Sequence, residues 1–206
     1  MSESMQYLLL HLKLREMLKP VNYFHMNSSI TSLEILRAIM EIKRNNDVVI
    51  LSKGHSAPAF YVILSELGLL SDEELKSFAD IGGLPSHLVK GLPFVEVSSG
   101  SLGQGLSVAN GIALTAKLEG EDRKVYVILG NGELDEGQVW EAAMTASHYR
   151  LDNVVAVIDR NFRQLTGETE ETLKKRTSGR EVEGLWLGGF GSRKQRQGNP
   201  KSSKGT

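Results

Sequence analysis

The stretch RKVYVILGNGELDEGQVWEAAMTASHYRLDNVVAVIDRN, Arg123 to Asn161, constrains the fold more than any other. Its ends are apolar, β-branched runs at 124–129 and 153–159, short enough for buried strands. Between them, EGQVWEAAMTASHYR spaces its apolar residues at helical intervals. A strand, a helix and a strand at this spacing pair their strands in parallel through a right-handed crossover.

The same alternation runs upstream. Residues near 5–18 predict an amphipathic helix. SSITSLEILRAIMEIKR opens on Ser/Thr caps and carries Leu33, Ile35, Leu36, Ile39 and Met40 at helical spacing. DVVILSKGH reads as a buried strand and its exit loop. APAFYVILSELG reads as a helix stopped by Gly68. SDEELKSFAD begins with Ser71 and Glu74 in capping-box spacing. Residues 82–101 read as a loop. LGQGLSVANGIALTAKL is a helix of small residues, which predicts another backbone packed closely on it. The expected fold class is α/β, a mostly parallel sheet with helices on both faces.

Length and composition are compatible with this. A chain of 206 residues can bury a sizeable core. It holds no cysteine, so neither disulfides nor thiolate metal sites arise. The start MSESMQYLLLHLKLREMLK lacks the pattern of a signal peptide, and no apolar run is long enough to span a bilayer. A soluble cytoplasmic protein is expected. Residues 174–206 hold nine Lys/Arg and two Asp/Glu of the totals 24 and 25, so the body carries about −8 and the tail about +7. An acidic body argues against nucleic acid as the main partner.

Ligands of parallel sheets bind at the carboxyl ends of the strands. Gly130 and Asn161 both fall there, one crossover apart. Gly130 and Gly132 let backbone approach a ligand, and the helix after Glu133 aims its N-terminal dipole at the same place. Oxygens of Asn131 and Asn161 suit a hard cation shared with a phosphate. On the residues alone two readings stay open: a diphosphate–cation site, or an Asn-Gly turn.

The Gly130–Asn161 stretch is similar to the thiamine-diphosphate motif, which opens Gly-Asp-Gly and closes on Asn. More closely, GELDEGQVWEAAMTA…LDNVVAVIDRN resembles transketolase. ILSKGHSAPAFYVILSELG and VEVSSGSLGQGLSVANGIALTAKL resemble the same family, in the same order. The likeness covers about residues 5–168 and fits the short N-terminal half of split transketolases. It implies a thiamine-diphosphate-binding domain over 1–173.

The resemblance also implies residue roles. Asn131 and Asn161 fall on the side-chain metal ligands, for Mg2+ or another divalent cation. Arg163 falls where a backbone carbonyl completes the shell. Gly130, Gly132 and Glu133 lie in the turn against the diphosphate. His55 matches a histidine near the diphosphate and the reacting centre. Gly100 and Leu102 match the loop around the aminopyrimidine and thiazolium. His25 and His87 match substrate-side histidines. Glu136 matches a carboxylate buried where two active sites communicate across a dimer. His11 and His148 read as ordinary polar surface residues.

The implied activity is transfer of a two-carbon ketol unit from a ketose phosphate to an aldose phosphate. In the family, the glutamate that activates the cofactor comes from the neighbouring pyrimidine domain. A split enzyme carries it on a C-terminal partner subunit, so this chain is expected to form a homodimer within a heterotetramer and to be inactive alone. Two alternatives stand: another thiamine-diphosphate enzyme, such as deoxyxylulose-phosphate synthase or a ketoacid dehydrogenase component, or an inactive truncated subunit.

The sequence departs from the family in four places. Asn131 stands where Asp is usual, which removes a charge beside the cation, and deamidation of Asn131-Gly132 would restore it. YFHMNSSI puts Phe24 and Asn27 in a usually glycine-rich turn. Phe162 and Arg163 replace a glycine and an apolar residue. After Thr172 the likeness ends, and 174–206 is a basic, divergent tail, read as disordered or as frameshifted. A permitted codon choice for Arg180–Phe190, read one base forward, gives E-K-W-K-A-Y-G-W-E-V, which resembles a transketolase segment at this point.

Overall fold

The computed structural model describes residues 3–161 apart from 22 and 24, together with 163–164, 167–168 and 171. Phe24, Phe162 and the 174–206 tail therefore lie outside the described residues. Three strands form the main sheet, β1 (Val48–Leu51), β2 (Val125–Gly130) and β3 (Val154–Asp159), in the order β1-β2-β3. Both pairings are parallel, with Val48 opposite Val125 and Val125 opposite Val154. The expected α/β class is thus observed, with β2 central.

Strand alternation divides the core into two. Val49, Leu51, Tyr126 and Ile128 point to one face, under helices α1 (Glu3–Leu18), α2 (Met26–Ile42) and α3 (Ala57–Glu66). Helix α4 (Asp72–Lys76) follows on that side. Val48, Ile50, Val125, Val127 and Leu129 point to the other face, under α5 (Gln104–Glu119) and α6 (Gly137–His148). Helices on both faces cover the apolar strands, as parallel sheets require.

Several elements differ from the sequence expectation. Helix α1 buries Leu10, Leu14, Met17 and Leu18 but leaves Met5, Leu8, Leu9 and Leu12 about half exposed, so it is apolar on two sides. Helix α2 starts at Met26, and its cap position, His25, makes no side-chain capping bond. The serines and threonine expected as caps lie inside the helix instead. Ser29 and Ser32 are buried, and the Thr31 hydroxyl donates across to Asp159.

Helix α4 has the expected capping box at Ser71 and Glu74 but ends early. Phe78 turns into the core against Tyr23 and Tyr61, and Ala79 takes a φ of 66°. Burying an aromatic ring outweighs continuing a short exposed helix. After Gly132 comes a 3-10 turn at Glu133–Asp135, and α6 begins only at Gly137. A two-stranded hairpin, β4 (Arg163–Gln164) with β5 (Gly167–Glu168), follows the main sheet.

Candidate functional site

The carboxyl ends of β1, β2 and β3 converge with the start of α2 and two loops. At β2, Gly130 faces Asp159 of β3, and the Asn131 N–H donates to the Asp159 carbonyl at 3.2 Å. Asn131 is buried, and Asn161 follows the end of β3, half-buried. The two expected cation ligands are therefore on adjacent strand ends, as their spacing predicts.

Glu133 holds this turn in shape. Its buried carboxylate accepts the Gly130 N–H at 2.9 Å and the Gly103 N–H at 2.8 Å, and it also accepts the Ser52 hydroxyl. The Ser52 oxygen in turn accepts the Gly105 N–H at 3.1 Å. One carboxylate thus ties the ends of β1 and β2 to the start of α5. The family resemblance implies Glu133 against the cofactor. Its carboxylate is filled by protein donors, which makes it a brace for the backbone around Gly130–Gly132.

Histidines form the opposite wall. His25 stands at the start of α2, and His55 lies in a 3-10 turn, Gly54–Ser56. Their ring centroids are 4.5 Å apart. Ser28 Oγ is 3.0 Å from His55 Nε2, and the Tyr23 hydroxyl donates to the His55 carbonyl at 2.9 Å. Burial, then the nearby His25, Lys53 and His87, push the His55 pKa down to about 3. Burial, then His87 and Lys53, also lower that of His25. Both rings are neutral at pH 7 and can accept as well as donate hydrogen bonds.

The 98–103 loop closes the third side. A Cβ on Gly54 would lie 2.6 Å from Ser99 Oγ, so glycine is what lets this loop settle on the His55 turn. A Cβ on Gly100 would come within 3.9 Å of the His87 ring. Gly100 is therefore beside His87, and Leu102 follows in the same loop, half-buried. Ser99 Oγ is buried with no partner among the described residues, a hydroxyl left for something else to satisfy. Gly103 has a φ of 84° and would place a Cβ 2.9 Å from that of Glu136. Glu136 itself is exposed in the single chain. Arg163 lies in β4.

Sequence reasoning missed the connection between the two walls. Lys53 is fully buried and forms an ion pair with buried Asp159. The same carboxylate oxygen accepts the Thr31 hydroxyl at 2.6 Å, and Lys53 Nζ donates to the Ser28 carbonyl at 3.3 Å. The available signal was a lysine just after one apolar strand and an aspartate ending another.

The arrangement offers amide oxygens, neutral imidazoles and hydroxyls around a glycine turn. Among the described residues, no group of three or more His, Cys, Asp or Glu could hold a metal. A divalent ion here would rest on amide and backbone oxygens plus those of a bound phosphate, a mode that suits Mg2+.

The family model described as "Transketolase, thiamine diphosphate binding domain" matches residues 40–186. The match runs past Thr172, beyond the end of the likeness expected from sequence. An apulose-4-phosphate transketolase subunit from Phocaeicola vulgatus is 39% identical over 160 residues, 72% of this chain and 57% of that protein. The 6-deoxy-6-sulfo-D-fructose transketolase subunit SqwG of a Clostridium species is 39% identical over 159 residues, 71% of this chain and 58% of that protein. The chain thus spans a little over half the length of these relatives. Among solved structures, a transketolase mutant from Pichia stipitis aligns with a TM-score of 0.77 and 27% identity, over 85% of this chain and 29% of that one.

Proposed function

Because this chain belongs to the transketolase family, through its thiamine-diphosphate-binding domain, we propose that it is the cofactor-holding subunit of a split transketolase. In this reading it binds thiamine diphosphate through Mg2+ and works only with a C-terminal partner subunit. The observation that supports it is the placement of Asn131 and Asn161 just past neighbouring strand ends, tied to the paired His25 and His55 through Asp159, Lys53 and Ser28. The residues fit the group. Glycines leave backbone room, and the unpartnered Ser99 hydroxyl has an acceptor or donor to find.

When bound, thiamine diphosphate supplies the carbon nucleophile that cleaves a ketose beside its carbonyl. The chain's own residues hold and orient. Asn131, Asn161 and the Arg163 carbonyl would ligate the cation, and Gly130 and Gly132 would present backbone to the diphosphate. Gly100 and Leu102 would line the cofactor rings. His25, His55 and His87, two of them kept neutral by burial, would hydrogen-bond substrate hydroxyls and exchange protons with the sugar oxygens. Glu136, exposed in one chain, would be covered by a second copy. The full assembly is then a homodimer of this chain with two partner subunits, working on sugar phosphates in the cytoplasm. The relatives' names carry different sugars, and the reading here takes a ketose donor with an aldose acceptor.

A second reading has one observation in its favour. Asn131 withholds the negative charge that the family places beside the cation, which favours a subunit that binds cofactor too weakly to work. Calorimetric titration with thiamine diphosphate and Mg2+, in the presence and absence of the partner chain, separates the two. Binding by the chain plus ketol transfer in the reconstituted pair supports the first. Weak binding with no transfer by the reconstituted pair supports the second. No binding by a folded chain in either setting overturns the cofactor site.

A further inference from the structure

The ion pair of Lys53 and Asp159 links the histidines to the candidate cation ligands. Lys53 lies two residues past the end of β1, Asp159 closes β3, and both are buried. Asp159 makes three links. Its carboxylate receives Lys53 and the Thr31 hydroxyl from α2, and its carbonyl receives the Asn131 N–H. Lys53 adds a fourth, to the Ser28 carbonyl. Ser28 continues the chain, since its hydroxyl is 3.0 Å from both His55 Nε2 and Ser56 Oγ. Every element that carries a candidate ligand-side residue of these two walls meets at this pair. Asn161 lies two residues beyond Asp159, and His25 lies one residue before α2.

We propose that Lys53, Asp159 and Thr31 form a positioning node that sets the separation of the Asn131–Asn161 cation side from the His25–His55 side. The inference rests on the thiamine-diphosphate reading of the site. None of the three residues is argued to touch the ligand. A buried ion pair is weak evidence for stability, because desolvation offsets most of the attraction. Its better-attested use is to specify one arrangement among several. Here that arrangement is of four elements, β1, β2, β3 and α2, whose packing is otherwise apolar and tolerant of small slides. Thr31 is the half-buried flank of the node, and its hydroxyl reaches a carboxylate 128 residues away.

The test uses the full chain and its Thr31→Val and Thr31→Ser variants, with Lys53→Met and Asp159→Asn as stronger lesions. Val keeps the shape of Thr and removes the hydroxyl, while Ser keeps the hydroxyl. Calorimetry measures thiamine diphosphate affinity at saturating and at limiting Mg2+, and urea unfolding measures stability without ligand. Thr31→Val is expected to weaken binding roughly ten-fold, on the scale of a hydrogen bond to a charged group, with the larger loss at limiting Mg2+. Thr31→Ser is expected to bind like the natural chain. A loss in Thr31→Val that Thr31→Ser does not recover would mean a packing effect and overturn the node. Equal affinity of all folded variants would do the same while leaving the cofactor site intact. If Lys53→Met and Asp159→Asn fail to fold, the Thr31 pair alone decides. Absence of binding by the folded natural chain, with the partner subunit as well as without it, would overturn the cofactor reading, and the node with it.

Discussion

Asn131 concentrates a conflict between folding and binding in one side chain. It is buried at the end of β2, two residues from the buried Glu133 carboxylate. An aspartate here would lose solvation and face a like charge whenever the cation is absent. Beside a dication the same charge is attracted by a few kcal/mol at an effective dielectric of about 20. We therefore expect Asn131→Asp to lower unfolding stability without ligand and to tighten Mg2+-dependent thiamine diphosphate binding by ~1–2 kcal/mol, about ten-fold. Urea unfolding and calorimetry measure the two sides. Equal affinities in two folded proteins would remove position 131 from the cation shell. His55 supplies a second test at this scale. Its folded pKa of about 3 lies below the ordinary 6.5, so between those values the unfolded chain binds a proton that the folded chain does not. Stability should then fall as pH drops below about 6.5, with a slope of at most about 1.4 kcal/mol per pH unit for one imidazole. The ring keeps some solvent contact, which reduces the slope. Burial raises the pKa of the Asp47 carboxyl, but hydrogen bonds from Arg44 and Lys124 outweigh it and hold the group low. Its contribution is lost only at lower pH. His55→Asn should flatten the curve between pH 6.5 and 4; an unchanged curve would mean that His55 protonates freely in the fold.

Helix α5 shows how two glycines on one element do different work. A Cβ on Gly105 would lie 2.4 Å from the Ser52 Cβ and 2.9 Å from its Cα, the latter a backbone atom that cannot swing away. Gly111, on the same helix, has nothing within 4 Å. Close approach at Gly105 is what brings its N–H to Ser52, and Ser52 to Glu133. We expect Gly105→Ala to destabilise the chain by ~1–3 kcal/mol through overpacking and to loosen the turn around Gly130. Gly111→Ala, in an exposed helix interior, should instead stabilise the isolated chain by ~0.5–1 kcal/mol. Thermal unfolding at low protein concentration compares them. Similar shifts for both would mean that α5 can slide away from β1, against the close approach of Gly105 to Ser52.

For the whole molecule, the site stands on the strand ends of a sheet that one chain covers on both faces. On the split reading proposed above, the glutamate that activates the cofactor would come from the partner subunit, and half of the chemistry with it. The purified protein should bind thiamine diphosphate with Mg2+ and catalyse no ketol transfer until the partner is added. Transfer by this chain alone, at the rate of the reconstituted pair, would refute the split arrangement. The fold also leaves apolar surface at Met144 and Leu118 on the α5–α6 side and at Leu8, Leu9 and Leu12 on α1. No helix among the described residues is long and apolar enough to cross a membrane.

The strands, their parallel pairing and the positions of Gly130, Asn131 and Asn161 are legible from residues alone. Local signals act over a few positions, and apolar period plus crossover length leaves a parallel sheet few alternatives. The histidines can be assigned only through family likeness, because a lone histidine in a sequence carries no direction. The capping box at Ser71 forms as its spacing predicts, while Ser28, Ser29 and Thr31 do not cap α2, since a hydroxyl near a helix start has two uses and only its neighbours decide between them. Tertiary structure alone decided that Glu133 braces backbone, that the Ser99 hydroxyl has no partner among the described residues, and that Lys53 meets Asp159 across 106 residues. The physical reason is the same in each case. Buried polar groups must find partners, and partners distant in sequence exist only once the strands have been laid side by side.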